Sequence, residues 1–386
     1  MDIRVVDSID HVSETAWNAL HDNRNPFVRH EFLAALEHHH CVGGDTGWLP
    51  KFILARENER LAGAIPMYLK YHSMGEFVFD WAWASAYARS GLNYYPKLVV
   101  AIPYTPVTGP RLLLTDNPQR DDIANILIEY ALEYARTSKI SSMHWLFTNN
   151  EDVQRLKQHG LMMRTDCQFH WKNSGYGCFD DFLGQLSSHK RKKVKRERRF
   201  IQEQGIHCQI LTGSEISASH LDTFYGFYQS TFHKKGHTAP LTPGFFRALG
   251  ETLPDNIILI MAYHNQHCVA GALFLRGTDT LYGRYWGCIE EFHSLHFELC
   301  YYLAIDYCIT VGLEYLEAGA QGEHKLVRGF FPEQTHSLHW IAHPAFRQAI
   351  QNYLEHEQHQ IEHYMNETEK HLPYKQLHYD NDHKGG

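Results

Sequence analysis

The sequence predicts an α/β (α+β) protein in which one unit of hairpin, strand, helix and strand occurs twice, over mixed and mostly antiparallel sheets. Three observations carry this expectation. The segment "ILARENERLAGAIPMYL" (Ile53–Leu69) matches "LIMAYHNQHCVAGALFL" (Leu259–Leu275) in its pattern. Further along, "ALEYARTSKISSMHW" (Ala131–Trp145) aligns without gaps to "AIDYCITVGLEYLEA" (Ala304–Ala318). The chain has 386 residues, enough for about two cores of ordinary size.

The elements follow from local pattern. Each hairpin segment alternates apolar residues around a polar turn at Asn58 or Asn265, then resumes with Ala-Gly-Ala. The second turn is expected to hold one extra residue. In the first copy a helix starts at Asp121 or Asp122, with Ile123, Ile126, Leu127, Tyr130 and Tyr134 at helical spacing. In the second, Ser294 is placed to cap a helix whose inner stripe is Leu295, Leu299, Tyr302 and Cys308, and Gly312 suits a left-handed exit. The offset between copies falls from 208 residues at the hairpin to 173 at the helix, so the first copy carries 35 extra residues within Tyr71–Leu114. The domains expected are 1–172, 173–343 from the polar "KNSGYG", and 344–386. The last holds a long polar helix after Pro344 and a frayed end, "HYDNDHKGG".

Charge is unevenly distributed. Lys190–Arg199 holds eight Lys or Arg and one acid, a local +7 in a chain whose total is −8. That asymmetry predicts an acidic partner at one site rather than a general affinity for polyanions. No apolar run approaches the ~20 residues that cross a bilayer, and the start "MDIRVVDSIDHVSE" lacks the pattern of a secretion signal. Eight scattered cysteines without a CxxC pair read as reduced thiols, so a cytoplasmic location is expected. Histidine is abundant at 29 residues, in runs at Glu37–His40, at His336, His339 and His343, and at His356, His359 and His363. None joins a ligand pattern of known metal spacing, so no metal is expected.

The order hairpin, strand, helix, strand, then helix resembles the core of the acyl-CoA N-acyltransferase (GNAT) superfamily. Two such modules in tandem, the second opened by the basic helix of "HKRKKVKRERRFIQEQGI", resemble the FemAB-like predicted N-acyltransferases, relatives of the Fem-type peptidyltransferases of cell-wall synthesis. The segments that carry this resemblance are "GEFVFDWAWASAYA", "YYPKLVVAIPYTPVTGPRLL", "LYGRYWGCIEEFHSLHFELCYYLAIDYCI" and "EYLEAGAQGEHKLVRGFFPEQTHSLHW". The resemblance implies a tandem duplication of GNAT-like modules and transfer of an acyl or aminoacyl group to an amine. It also implies two central strands of the second module that splay between "LYGRYWG" and "YLEAG". Backbone amides in such a gap can hold an oxyanion. The sequence departs from the superfamily where a glycine-rich loop binds the pyrophosphate of CoA. "CIEEFHSLHF" and "TDNPQRDDIA" hold no glycine and carry acids instead.

Candidate residues follow. An amine nucleophile must lose a proton, so Glu317 at the strand end, and Glu323 and His324 in "GAQGEHK", are the catalytic candidates. Lys325 and Arg328 follow as ligands for a carboxylate or phosphate. Arg284 and Trp286 are expected to face away from Tyr285 across the splayed strand; all three are candidate substrate contacts, as are Asp80, Trp81, Tyr104 and Arg111 in the first copy. The basic helix, through Lys190, Lys192, Lys193, Arg196 and Arg199, is the candidate phosphate face. Its inner stripe is read as Leu183, Leu186, Val194 and Ile201. No tightly bound cofactor is expected. The donor is aminoacyl-tRNA or acyl-CoA and the acceptor an amine; the phosphates expected on the basic helix are those of tRNA, CoA or an undecaprenyl-linked acceptor, and a transient membrane-surface contact is compatible with the chain. The rival readings are an acetyl-CoA-dependent N-acetyltransferase, a non-catalytic protein that binds RNA or anionic lipid, and a histidine metallohydrolase.

Overall fold

The structure, a computed structural model, describes residues 1–319 and 322–375. The first half supplies β1 (Asp2–Val6), β2 (Trp48–Pro50), β3 (Phe52–Glu57), β4 (Arg60–Ile65), β5 (Met67–Lys70), β6 (Lys97–Val100), β7 (Leu113–Leu114), β8 (Ser142–Trp145) and β9 (Met162–Lys172). The second supplies β10 (Ile206–Thr212), β11 (Ile257–His264), β12 (His267–Arg276), β13 (Thr280–Cys288), β14 (Tyr315–Glu317) and β15 (Phe331–Ile341). A four-stranded sheet has the order β1-β3-β4-β7, and an eleven-stranded sheet runs β10-β11-β12-β13-β14-β9-β15-β8-β6-β5-β2. Antiparallel pairs dominate; the parallel ones are β13 with β14 and β6 with β8.

Both hairpins form where the alternation places them, and they are closer twins than expected. Each turns on two residues of positive φ, Asn58 (47°) and Glu59 (66°) in one, Asn265 (50°) and Gln266 (65°) in the other. Asparagine tolerates that conformation, which matches the twist of the strands it joins. Neither turn holds an extra residue. After each turn one residue bulges, Ala62 or Val269, so Gly63 lies opposite Ala55 just as Ala270 lies opposite Ala262. The Ala-Gly-Ala alignment is therefore shifted by one, and the insertion is 34 residues rather than 35.

Pro66 separates β4 from β5. There the chain leaves the small sheet, and β5 pairs with β6 in the large one. The inserted β6 then lies along β8, while β7 returns to β4. In the second copy the corresponding strands β13 and β14 pair directly. The last strands of the two copies are exchanged: β9 lies between β14 and β15, and β15 between β9 and β8. β9 ends at Lys172, where the sequence predicts a division, and the eleven-stranded sheet runs through β9 from one copy to the other.

The helix of the first copy spans Arg120–Thr137 and buries Ile123, Leu127 and Ala131. Its counterpart starts at Leu295–Phe297, widens into a π turn at Glu298–Tyr302 and continues over Leu303–Val311. Leu295, Leu299, Tyr302 and Cys308 are all buried, and Gly312 exits at φ 75°. Ser294 does not cap it. That residue has φ 71° and its hydroxyl meets the His293 ring at 2.8 Å. The basic helix spans Ser188–Glu203, with Val194, Glu197 and Ile201 inward. Leu183 and Leu186 are buried, but Leu183 belongs to a preceding helix, Phe179–Gln185, because the chain turns extended at Leu186. The polar helix after Pro344 spans Pro344–Glu369; the end expected to fray lies outside the described residues. The largest apolar core joins the copies, with Phe27, Phe52 and Tyr68 of the first beside Phe224, Phe245 and Tyr282 of the second.

Candidate active site

The pairing of β13 with β14 covers only Thr280–Tyr282 against Tyr315–Glu317. Beyond it β13 runs on to Cys288 while β14 stops, so the sheet opens into a seam. The carbonyls of Trp286 and Cys288 accept hydrogen bonds from the Thr231 and Ser230 hydroxyls (2.9 and 3.0 Å), not from a strand. Those two residues belong to the helix Ala218–His233, which lies so close to β13 that a Cβ on Gly287 would stand 1.9 Å from the Phe227 carbonyl oxygen. Beside the opening is a cavity of about 180 Å³, lined by Phe274, Gly283, Trp286, His296, Cys300 and Gly319 among others.

Glu317 stands where the pairing ends. Its register partner is His170 of β9, whose Nδ1 lies 3.9 Å from Glu317 Oε1. Among the described residues no hydrogen bond reaches the Glu317 carboxylate. Burial raises its pKa to about 8, against a smaller opposing pull from Arg284. Burial, helped by the Lys325 charge, holds His170 near 4, so that imidazole is neutral at physiological pH. Glu317 and His170 line a second cavity of about 690 Å³ with Thr148, Thr280, Glu333 and His336. The Thr148 hydroxyl there is buried without a partner, as are Arg284 Nε and the Tyr285 hydroxyl at the seam. Buried polar groups in native proteins are rarely left unpaired; here Arg284 and Tyr285 have each other as neighbours, and atoms of Trp48, Trp145 and Trp171 are unpaired elsewhere in the molecule.

Arg284 and Tyr285 do not point to opposite faces. Leu273 pairs with Tyr285 and Phe274 with Gly283, which leaves Arg284 as a bulge and breaks the alternation. The guanidinium lies 5.8 Å from the Tyr285 ring centroid and donates to the Tyr104 carbonyl at 3.0 Å. Trp286 does face away from Tyr285: it lies edge-on to His296 and joins a different core, while Tyr285 packs on Tyr228 and Phe246. Lys325 is buried and donates to the carbonyl of Gly319, a cavity residue; burial lowers its pKa to about 8.

Other candidates are engaged elsewhere. Arg328 binds the Glu197 carboxylate (2.9 and 3.0 Å), the Tyr302 hydroxyl and the His324 carbonyl, and lies 3.4 Å over the Phe297 ring. The single acid of the basic helix thus turns inward as the anchor of Arg328. His324 meets the Tyr301 hydroxyl at 2.7 Å, and Glu323 accepts from Tyr364 of the C-terminal helix. Arg111 is a strut, donating to the carbonyls of Leu146, Pro110 and Val107. Tyr104 contributes its carbonyl to Arg284 and spends its hydroxyl on the Cys41 carbonyl. Asp80 lies in a separate buried cluster with Lys97, Glu76, Tyr94 and His144, and Trp81 beside it is exposed.

On the basic helix, Arg198 pairs with Glu298, Lys195 with Asp180 and Arg199 with Glu203. Lys192, Lys193, Arg191 and Arg196 line a surface groove of about 680 Å³ with His189. Among the described residues no group of three His, Cys, Asp or Glu is placed to hold a metal ion. Sequence reading missed His170, which sits in "CQFHWK" with no motif around it; its pairing with Glu317 arises from the exchanged strand.

A family model, FemAB_like, described as peptidoglycan biosynthesis/recognition, matches residues 8–376. No curated protein matches the sequence. Among solved structures the crystal structure of FemX aligns with TM-score 0.56 and 14% identity, over 91% of this chain and 100% of that one. The C-terminal domain of a putative lysylphosphatidylglycerol synthetase from Agrobacterium fabrum aligns with TM-score 0.51 and 8% identity, over 90% and 96%. A conserved protein of unknown function from Bacteroides thetaiotaomicron gives TM-score 0.51 and 10% identity, over 87% and 99%. At these identities the likeness concerns the fold.

Proposed function

This chain belongs to the FemAB_like family, and on that premise we propose that it is an N-acyltransferase whose reaction centre is the seam between β13 and β14, with Glu317 as the proton acceptor. The observation that carries this reading is a mostly buried carboxylate, 14% exposed toward a cavity, that has no hydrogen-bond partner among the described residues and stands where the strands part. The acyl carbonyl of the donor enters the seam, where backbone amides stabilise the oxyanion of the tetrahedral intermediate. The amine approaches through the 690 Å³ cleft. Its nitrogen bonds to the carbonyl carbon, its proton passes to Glu317, and the bond from that carbon to the donor's ester oxygen or thioester sulfur breaks. The proton then moves from Glu317 to the leaving oxygen or sulfur. A carboxyl group with a pKa near 8 is matched to such a shuttle near neutral pH.

The donor's phosphates are assigned to the basic helix, where Lys192, Lys193 and Arg196 project outward. Before the helix at Leu295 the chain exposes Glu290 and Glu291 and has no glycine, which disfavours a CoA pyrophosphate there and favours aminoacyl-tRNA. The acceptor proposed is an amine of a peptidoglycan-type peptide. The test incubates the protein with labelled aminoacyl-tRNA or acyl-CoA and such peptides. Label in an amide product, lost in Glu317→Gln, supports the reading; no transfer from either donor overturns it.

A further inference from the structure

The insertion in the first copy presents a surface that acyl transfer does not use. Tyr71, Met74, Phe77, Phe79 and Trp81 are 38–58% exposed, five large apolar side chains within eleven residues. Between them Ser73, Glu76, Val78 and Asp80 turn inward and are buried. This loop is held, not slack. Lys70 Nζ donates to the Met74 carbonyl (3.0 Å), Arg164 to the Phe79 carbonyl (2.7 Å), and the buried Lys97 binds Glu76 (2.7 Å), Ser73 (2.8 Å) and Asp80. Gly75 (φ 80°) packs under the Tyr104 ring, which would lie 2.7 Å from an added Cβ. Phe77 has φ 62°, an uncommon conformation for a bulky residue, and presents its ring to solvent.

The charge pattern points to the occupant. From Tyr71 to Asn93 the carboxylates are Glu76 and Asp80, both buried against Lys97. The helix Trp81–Arg89 that follows exposes Trp81, Ala82, Ser85, Ala88 and Arg89, and Leu92 is exposed just beyond it. In a chain with 44 acids, these twenty-three consecutive residues show no exposed carboxylate and a single exposed Arg or Lys, Arg89. Aromatic and Met side chains on a segment without exposed acids suit the headgroup level of a bilayer that carries negative charge, and Glu357 of the C-terminal helix, which meets the segment through Arg164, is paired with that arginine. No helix among the described residues is long and apolar enough to cross a membrane, so the contact lies in the interface.

We propose that Tyr71–Asn93 docks this protein onto a lipid bilayer, with Met74, Phe77, Phe79 and Trp81 entering the headgroup region and Arg89 facing anionic lipid. The preordered loop spares the entropy that ordering on binding would cost. This inference stands apart from the chemistry assigned to Glu317.

The test is flotation of the full chain with vesicles of phosphatidylcholine, alone or mixed equally with phosphatidylglycerol. The protein is expected to float with both, more strongly with the mixture. The triple variant Met74→Ser, Phe79→Ser, Trp81→Ser is expected to lose ~10-fold or more in partition at an unchanged melting temperature. Lys192→Gln, Lys193→Gln, Arg196→Gln should leave binding to phosphatidylcholine intact. Should the triple variant misfold, quenching of tryptophan by brominated lipid, lost in Trp81→Phe, reads the same contact. Failure to float with either vesicle, or flotation of the folded triple variant like the unaltered protein, overturns the proposal. So does a dimer of the unaltered protein that the triple variant converts to monomer, since the patch would then cover a second copy.

Discussion

The two copies put different residues at one position, and the contrast separates a closed site from an open one. In the gapless alignment His144 of β8 stands where Glu317 of β14 stands. His144 has every partner it needs: His339 Nδ1 at 2.7 Å, the Ser142 hydroxyl at 2.8 Å and the Tyr94 hydroxyl at 3.1 Å. The inserted β6 lies along its strand and Lys97, Asp80 and Trp83 close around it. Glu317 has no inserted strand beside it and no hydrogen bond among the described residues; it lines one cavity, and Ala318 and Gly319 just after it line another. Duplication supplied two seams. One is filled and part of the core; the other holds a mostly buried carboxylate whose ionisation the fold disfavours, and the proposed function rests on that difference.

The largest effect expected from this contrast is on turnover. Glu317→Gln should lower the rate of transfer by ~10²–10⁴-fold, whereas His144→Gln should leave turnover per folded molecule unchanged. Parallel rate and melting measurements separate the two. Next is Lys97→Met in the filled seam, which strands Glu76 and Asp80 without their cation and should cost about 3–5 kcal/mol by denaturant unfolding. Glu317 should act on stability in the opposite sense. Its folded pKa, about 8, lies above the ordinary 4.5, so folding takes up a proton between those values and stability falls as pH rises through them. Glu317→Gln removes that dependence and should raise stability at pH 8 by roughly 2–4 kcal/mol, with little change at pH 4. Smallest is Glu197→Gln, which weakens the clasp on Arg328 and should cost about 1–3 kcal/mol.

Much of this arrangement was legible in the sequence. The hairpins, both repeat helices and Glu317 at a strand end follow from alternation, helical spacing and the repeat, because those signals are local. The features that were not legible depend on partners far along the chain. The alternation that placed Arg284 opposite Tyr285 fails at a bulge that only the pairing with β12 reveals. Glu197 read only as the one acid in a basic run, yet Arg328, 131 residues later, draws it inward. Asp80 and Arg111 read as ligands for substrate because their buried partners, Lys97 for one and three backbone carbonyls for the other, are set by folding. His170 reaches Glu317 only through the exchange of β9 into the second copy.

The pH dependence of kcat/KM for transfer, measured side by side for the unaltered protein and Glu317→Gln, tests the central claim most directly. If the open seam is the reaction centre, the unaltered protein shows a limb that rises with pH around an apparent pKa near 8, and the variant lacks that limb and turns over far more slowly. The same limb and the same plateau in both proteins would contradict it.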